Sequence, residues 1–467
     1  MNRKALARVG VVSLGLVLAV AGSSGAATGL LGSQQATTAN AATLGQSQAS
    51  WSSGFQVQNL ESQVANVKVI YFNREGVRVK EQTTQIQPFS SFTFFGATME
   101  VDEGFFGSVV IESDRQIAAI TNELASNPTL LDSYAGSTNP SNVINLPLVM
   151  RNNGGYSTEL FIQNAGQADA TDLKIEFFRP GQATPVLTKT KTDGPLKPGA
   201  SWNVNQATET GLGDRFVGSA KITAGQTLAA VVNQSNGTVL LSYNGVASGG
   251  PSVFAPLVQA QNSGWETGMQ VQNIGSSAQT VRLTVRDGGG NSVRTEEATI
   301  PANGSQTWFP IFTGGRLVGS ATIEATGGTG GNLVGIVNQV NLNTGQGTTY
   351  TGFNAGTNQV FVPLLMTNNS GFYTGLQAQN VGTAAANVTL IVSNSSGQEV
   401  GRESIQLAAG SSKTWFPVPG TSDGFVGSAR ITSDTAGAKV VAIVNTITSP
   451  QKDGDTSSSY VAINAGQ

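Results

Sequence analysis

The residues of this chain that could do chemistry come in fours. An aromatic opens four similar phrases: "WSSGFQVQN" at Trp51, "YSTELFIQN" at Tyr156, "WETGMQVQN" at Trp265 and "FYTGLQAQN" at Phe372. Each phrase closes on Gln-Asn, with the Asn at Asn59, Asn164, Asn273 and Asn380. A series of flat aromatic faces could stack on sugar rings. The same series could instead seal a core or a domain interface, because aromatics dominate buried area. Free exchange of Trp, Tyr and Phe at one position favours packing. Asn tolerates left-handed backbone and bonds its own chain two residues on, so its place before Gly166, Gly275 and Gly382 suits a strand-to-turn exit.

Other chemistry is thinly supplied. The chain has neither Cys nor His. That removes thiolate nucleophiles, disulfides, Cys/His metal sites and every His-dependent proton transfer. A carboxylate recurs four residues before a Gly-Ser pair, at Glu103, Asp214 and Asp423, but the third copy has Gly315 there. Ca²⁺ needs six to eight oxygens, and no Asp-rich loop supplies the rest, so these read as turn-stabilising side chains. Two carboxylates would suffice for glycoside hydrolysis, yet nothing in the sequence pairs any two of the 28 acidic residues. "DGGGN" and "TGGTGG" lack the Lys-Ser/Thr of a phosphate loop and read as hairpin tips. Charged residues are only 11% and the net charge is −3, which is no basic stripe for nucleic acid. No catalytic residue, metal ligand or cofactor is therefore expected, and the chain reads as non-enzymatic.

The elements that hold these residues repeat with them. The Asn of the pair stands at 59, 164, 273 and 380, so the intervals are 105, 109 and 107 residues. Solenoid units are shorter; the size matches an immunoglobulin-like sandwich. Alternating stretches follow each Asn, among them "NVKVIYF" and "TVRLTVR". Their period of two predicts half-buried strands with Val67, Val69 and Tyr71, and Val281, Leu283 and Val285, pointing inward. Hairpin turns come next, then a small-residue turn leading to Trp202, Trp308 or Trp415. "FFGSVVI", "FVGSAKI", "LVGSATI" and "FVGSARI" follow, then a strand ending in Asn122, Asn233, Asn338 or Asn445, then a Tyr strand (Tyr134, Tyr243, Tyr350, Tyr460). A Pro-Leu strand opens the later copies at Pro147, Pro256 and Pro363.

The expectation is about seven strands per copy and an all-β chain: a tandem array of four immunoglobulin-like antiparallel β-sandwich domains after an N-terminal signal peptide. The modules span 43–138, 145–249, 252–356 and 359–467. The first module's opening strand is degenerate, since Ala42 stands where Pro is expected. A sandwich lacking one strand exposes an edge, to be covered by residues 43–49 or by a strand from another molecule.

"MNRKALARVGVVSLGLVLAVAGSSGAA" has the basic, apolar and small-residue order of a secretory signal at 1–27. Cleavage is expected after Ala27, or as late as 41, with 28–42 a flexible segment. The apolar run is too short for an ordinary spanning helix, so contact with a membrane is expected only through the signal before cleavage.

The stretch "QNVGTAAANVTLIVSNSSGQEVGRESIQLAAGSSKTW" resembles bacterial cell-surface repeats of the cell-adhesion-related (CARDB) type, and other immunoglobulin-like repeats of exported proteins. The shared features are an Asn-x-Gly turn, Ala before a Val-x-Leu strand, a Gly turn and Leu-x-x-Gly-Ser. They cover about half of each module, and the first copy departs from them with Glu61 at the Gly position. The resemblance implies an extracellular β-sandwich array used in adhesion or as a spacer, and no catalytic residues. The expected function is thus an exported, cell-surface structural or adhesive protein. The alternative is a secreted carbohydrate-binding protein using the repeated aromatics. Expected partners are cell-envelope components, glycans or copies of the chain itself.

Overall fold

The computed structural model describes residues 18–20, 36–38 and 50–464, apart from 103, 127, 328–329 and 450–452. These residues form strands joined by turns, with three short 3-10 segments.

The third module shows the plan. Val281, Leu283 and Val285 face inward and are fully buried, as the alternation predicts. Their strand, Gln279–Asp287, turns at Asp287, whose carboxylate accepts the Asn291 N–H at 2.9 Å, and returns as Ser292–Ile300. The first sheet runs in the order Ser252–Ala260, Leu317–Ala325, Gln279–Asp287, Ser292–Ile300. The second runs Ser305–Trp308, Trp265–Asn273, Leu333–Asn341, Gln346–Thr351. Both are antiparallel, and Val253, Met269, Ile323, Val337 and Tyr350 fill the space between them. The third module is therefore an antiparallel sandwich of eight strands rather than seven, immunoglobulin-like in its two-sheet architecture but with its own strand order, and the other modules repeat this plan with small changes in strand number. In the second module the Gly-Ser strand and the Asn strand run together as Phe216–Ser235 and serve both sheets.

The four modules close on themselves. Their Tyr strands, Leu130–Ala135, Leu240–Asn244, Gln346–Thr351 and Ser458–Val461, pack in succession around one axis, the last against the first. The array is a ring of four sandwiches with four junctions.

In the first module the Ala36–Thr38 strand covers the edge that a Pro-Leu strand would cover. It pairs antiparallel with Gly107–Ser113, with Ala36 opposite Ile111 and Thr38 opposite Val109. Leu18–Val20 also pairs with that strand, in parallel. The covering segment is thus upstream of the expected 43–49, which lies outside the described residues. So do the signal's cleavage points at 27 and 41. Among the described residues no helix is long and apolar enough to cross a membrane.

Candidate functional site at the module junctions

The repeated words of the sequence meet at the junctions. The Pro-Leu dipeptide forms a β-bulge, with the register slipping between Leu146 and Val149, Ala255 and Val258, and Val362 and Leu365. A bulge leaves backbone groups out of the ladder. Pro contributes no N–H there, and the Tyr of the same module satisfies the Leu. Tyr243, Tyr350 and Tyr460 donate to the carbonyls of Leu148, Leu257 and Leu364, each at 2.5 Å. The same hydroxyls accept the Leu N–H groups at 3.2–3.4 Å. The Pro carbonyl is satisfied from the next module. Gln270 donates to Pro147 at 2.6 Å, Gln377 to Pro256 at 3.1 Å and Gln56 to Pro363 at 2.7 Å.

The Gly-Ser pair makes the second joint, four times over. Ser108, Ser219, Ser320 and Ser428 donate to the carbonyls of Gly199, Asn303, Gly410 and Phe89, each in the next module's small-residue turn. Each preceding Gly is required by space: a Cβ on Gly319 would land on the carbonyl oxygen of Arg286, well inside van der Waals contact. The Asn of each Gln-Asn pair behaves as its type suggests. Asn273 accepts the Gly275 N–H at 3.0 Å and donates to Ile300 at 3.0 Å, tying the turn to the neighbouring strand.

Three junctions hold an open cavity of the same construction. The cavity between modules two and three has a volume of 510 Å³, that between three and four 580 Å³, and that between four and one 380 Å³. One wall carries the opening aromatic, Tyr156, Trp265 or Phe372; the other carries Phe309, Phe416 or Phe95 from the next module. Those three Phe side chains are 57%, 53% and 55% exposed. Each sits over a Gly of the neighbouring strand: a Cβ at Gly268, Gly375 or Gly54 would meet its ring. Among the described residues no charged side chain lines any of the three cavities. Burial also pushes the Tyr156 hydroxyl up to about 12, so it too stays neutral.

A turn of one design frames each cavity. Asn153, Asn262 and Asn369 pair through their backbones with Tyr156, Trp265 and Phe372 three residues on. Asn152, Gln261, Ser263, Asn368 and Ser370 in these turns have positive φ, between 45° and 54°. Non-glycine residues held there store strain, a feature that clusters at binding sites.

The fourth junction, between modules one and two, is different. Where the other copies have Gln56, Gln270 and Gln377, the second has Phe161, and the module before it has no Pro-Leu bulge to bond. Phe161 packs instead with Tyr134, Val231 and Phe106. Trp51 is buried with Leu130 and with Leu240 of module two, an inter-module contact. Glu159 replaces the Gly under the exposed Phe. Desolvation pushes its carboxyl up to about 8 against the lowering influence of Asn203 and Arg74.

Two carboxylates staple the axis. Asp132 accepts the backbone N–H groups of Ser133, Ser242 and Ser459, and so touches modules two and four. Asp455 accepts those of Leu240 and Gly347 at 3.0 and 3.1 Å, from modules two and three. Both are fully buried. Desolvation raises Asp132 well above the usual carboxylate range and Asp455 to about 7.

The structure thus places all four opening aromatics at junctions, three beside cavities and Trp51 buried. Of the recurrent carboxylates, Asp214 and Asp423 lie apart in separate modules; Asp214 accepts from Arg151 and Asn152 at 2.5 and 3.1 Å. Glu103 lies outside the described residues. Among the described residues no group of acidic side chains is gathered for a metal. Trp202 is not the counterpart of Trp308 and Trp415: it faces Ile162, whereas Val204 faces Leu160 as Trp308 faces Met269. The turn has the same length in each copy, eight residues from Leu196 to Val204 as from Ile300 to Trp308, and Trp202 merely stands two positions earlier in it. Sequence reasoning missed the exposed Phe residues, although Phe94-Phe95, Trp308-Phe309 and Trp415-Phe416 repeat as aromatic pairs. It also missed Asp132, Asp455 and Glu159, which occur once each and so carry no repeat signal.

No family model matches the chain, and no curated protein matches it. Among solved structures, Thermotoga maritima 1070 aligns at 17% identity and a TM-score of 0.20, over 22% of this chain and 94% of that one. Bacteroides uniformis β-glucuronidase aligns at 8% identity and a TM-score of 0.12, over 50% of this chain and 26% of that one. Streptomyces avermitilis α-L-rhamnosidase aligns at 7% identity and a TM-score of 0.11, over 82% and 54%. None of these bears on activity.

Proposed function

We propose that the protein is an exported, non-enzymatic surface protein that works by adhesion. The observation that carries this reading is the set of three like cavities, uncharged in their described residues and rimmed by an exposed Phe, set at successive junctions of one closed ring. Large apolar side chains kept in water on a well-packed fold mark contact sites. Three copies at fixed angles suit multivalent attachment, in which weak sites add through effective concentration. Export rests on the signal-like residues 1–27. The acidic side chains at the axis favour a scaffold over a catalyst, because both Asp132 and Asp455 are sealed from solvent and spend their oxygens on backbone N–H groups.

The test combines fractionation with a surface-binding measurement. The protein should leave the cytoplasm, and the purified mature chain immobilised on beads should retain whole cells or envelope fragments. A protein found in the cytoplasm, or beads that retain neither, would overturn the proposal.

A further inference from the structure

We infer that each of the three junction cavities is a subsite for a neutral pyranose, so that one chain holds three sugar rings of a neutral glycan. The inference rests on the adhesive reading and names the ligand chemistry of the same cavities.

The first support is the lining. A pyranose offers an apolar face of C–H groups and an equatorial rim of hydroxyls. Tyr156, Trp265 or Phe372, with Phe309, Phe416 or Phe95 on the facing module, supplies aromatic surface for the first. The volumes of 380–580 Å³ fall in the range of small-ligand sites. The absence of a charged side chain among the described lining residues selects against sialylated or uronic ligands, whose carboxylates would lose hydration with no cation among those residues to pair them.

The second support is the framing Asn, which is held in place while its amide keeps bonding capacity. Asn153 and Asn369 donate only to thioether sulfurs, Met150 and Met366, each at 3.7 Å. A thioether is a weak acceptor, and a sugar hydroxyl would replace it to advantage. In the cavity between modules three and four Asn262 donates to Gln259 at 2.7 Å and accepts from Arg316 at 3.0 Å, and here the wall supplies another group: the Thr348 hydroxyl is buried at 2% exposure, lines the cavity and has no hydrogen-bond partner. A planar amide beside an aromatic ring offers a donor and an acceptor at the spacing of vicinal hydroxyls. The strained turn that carries the Asn fixes it there before any ligand arrives, which lowers the ordering cost of binding.

The third support is the contrast within the ring. The junction between modules one and two lacks the exposed Phe, which Asn205 replaces, and carries Glu159 in place of the Gly. Three sites, not four, are therefore expected per chain.

The mature full-length protein is screened on an array of neutral and acidic glycans. The best neutral oligosaccharide is then titrated calorimetrically. The expected result is a preference for neutral glycans and a stoichiometry of three monovalent ligands per chain. Phe309→Ala, Phe416→Ala and Phe95→Ala change exposed residues, so the fold should persist, as judged by the thermal transition. Each should lower the stoichiometry from three to two, and Asn153→Ala should do the same for its own cavity. The triple Phe variant should lose at least about ten-fold in apparent affinity. A preference for sialylated glycans, a stoichiometry unmoved by these variants, or displacement of the sugar by a neutral Phe-containing peptide at lower concentration would overturn the inference. If beads still retain cells while no neutral glycan binds, the sugar assignment fails and the adhesive reading stands. If both fail, the adhesive reading fails with it.

Discussion

Replacing Asp455 by Asn should flatten the pH dependence of the ring's stability. Asp455 is buried at the axis, where it accepts N–H groups from modules two and three and the Ser457 hydroxyl at 3.2 Å. Desolvation lifts its pKa from 3.8 to about 7. A carboxyl whose folded pKa lies above its unfolded one binds more protons in the folded state. Its contribution is whole below the unfolded pKa and is lost as pH rises through the folded one. The window therefore runs from pH 3.8 to about 7. The shift is roughly three units, and at about 1.4 kcal/mol per unit the loss across that window is at most ~4 kcal/mol. Asp132 and Glu159, also raised by burial, act in the same direction, so the measured quantity is the difference between wild type and variant. Asn carries no charge to desolvate and keeps one acceptor oxygen; because Leu240 donates to Oδ2 and Gly347 to Oδ1, its amide nitrogen leaves one of the two N–H groups unpaired, which lowers stability at every pH without adding pH dependence. Urea unfolding at a series of pH values from about 4 to 8 should show wild type losing stability with rising pH and Asp455→Asn losing distinctly less. Parallel curves, or a wild type that gains stability over that range, would refute the assignment of a buried, protonated staple.

Gly319→Ala should destabilise by ~2–4 kcal/mol, because the new methyl group falls on the Arg286 carbonyl rather than on a side chain that could move; denaturant unfolding measures it. Tyr350→Phe should cost ~1–3 kcal/mol by leaving the Leu257 N–H and carbonyl of the bulge without their shared partner, as read from denaturant unfolding. Gln270→Ala should loosen the second junction in particular, since the Pro147 and Gly218 carbonyls lose their donor. Hydrogen exchange should rise in Ser141–Arg151, which carries Pro147, and in Trp265–Asn273 before it rises in module four.

Much of a single module was legible in the chain. Alternation placed Val281, Leu283 and Val285 inward, because a strand has no other way to bury every second residue. Asn59, Asn164, Asn273 and Asn380 were read as turn-forming from the local bonding habit of their type, and each does make that bond. Four-fold repetition separated structural residues from incidental ones without any relative to compare. Local signals of this kind act over a few residues, and sequence spacing records them directly.

The partner of each repeated residue was not legible, because the bonds that matter cross from one module to the next. Gln270 and Pro147 lie 123 residues apart, and Ser428 and Phe89 lie 339 apart; no periodicity encodes which carbonyl a Gln will meet. Ring closure follows from four Tyr strands sharing one axis, a property of how sandwiches pack and not of any single strand. The single-copy residues show the limit most clearly. Asp132, Asp455, Glu159 and Phe161 break the repeat, and in the chain a broken repeat looks like drift. Only when the modules lie against one another do Asp132 and Asp455 become staples at the axis and Glu159 and Phe161 the packing of the junction between modules one and two, because their chemistry depends on desolvation by neighbours from other modules.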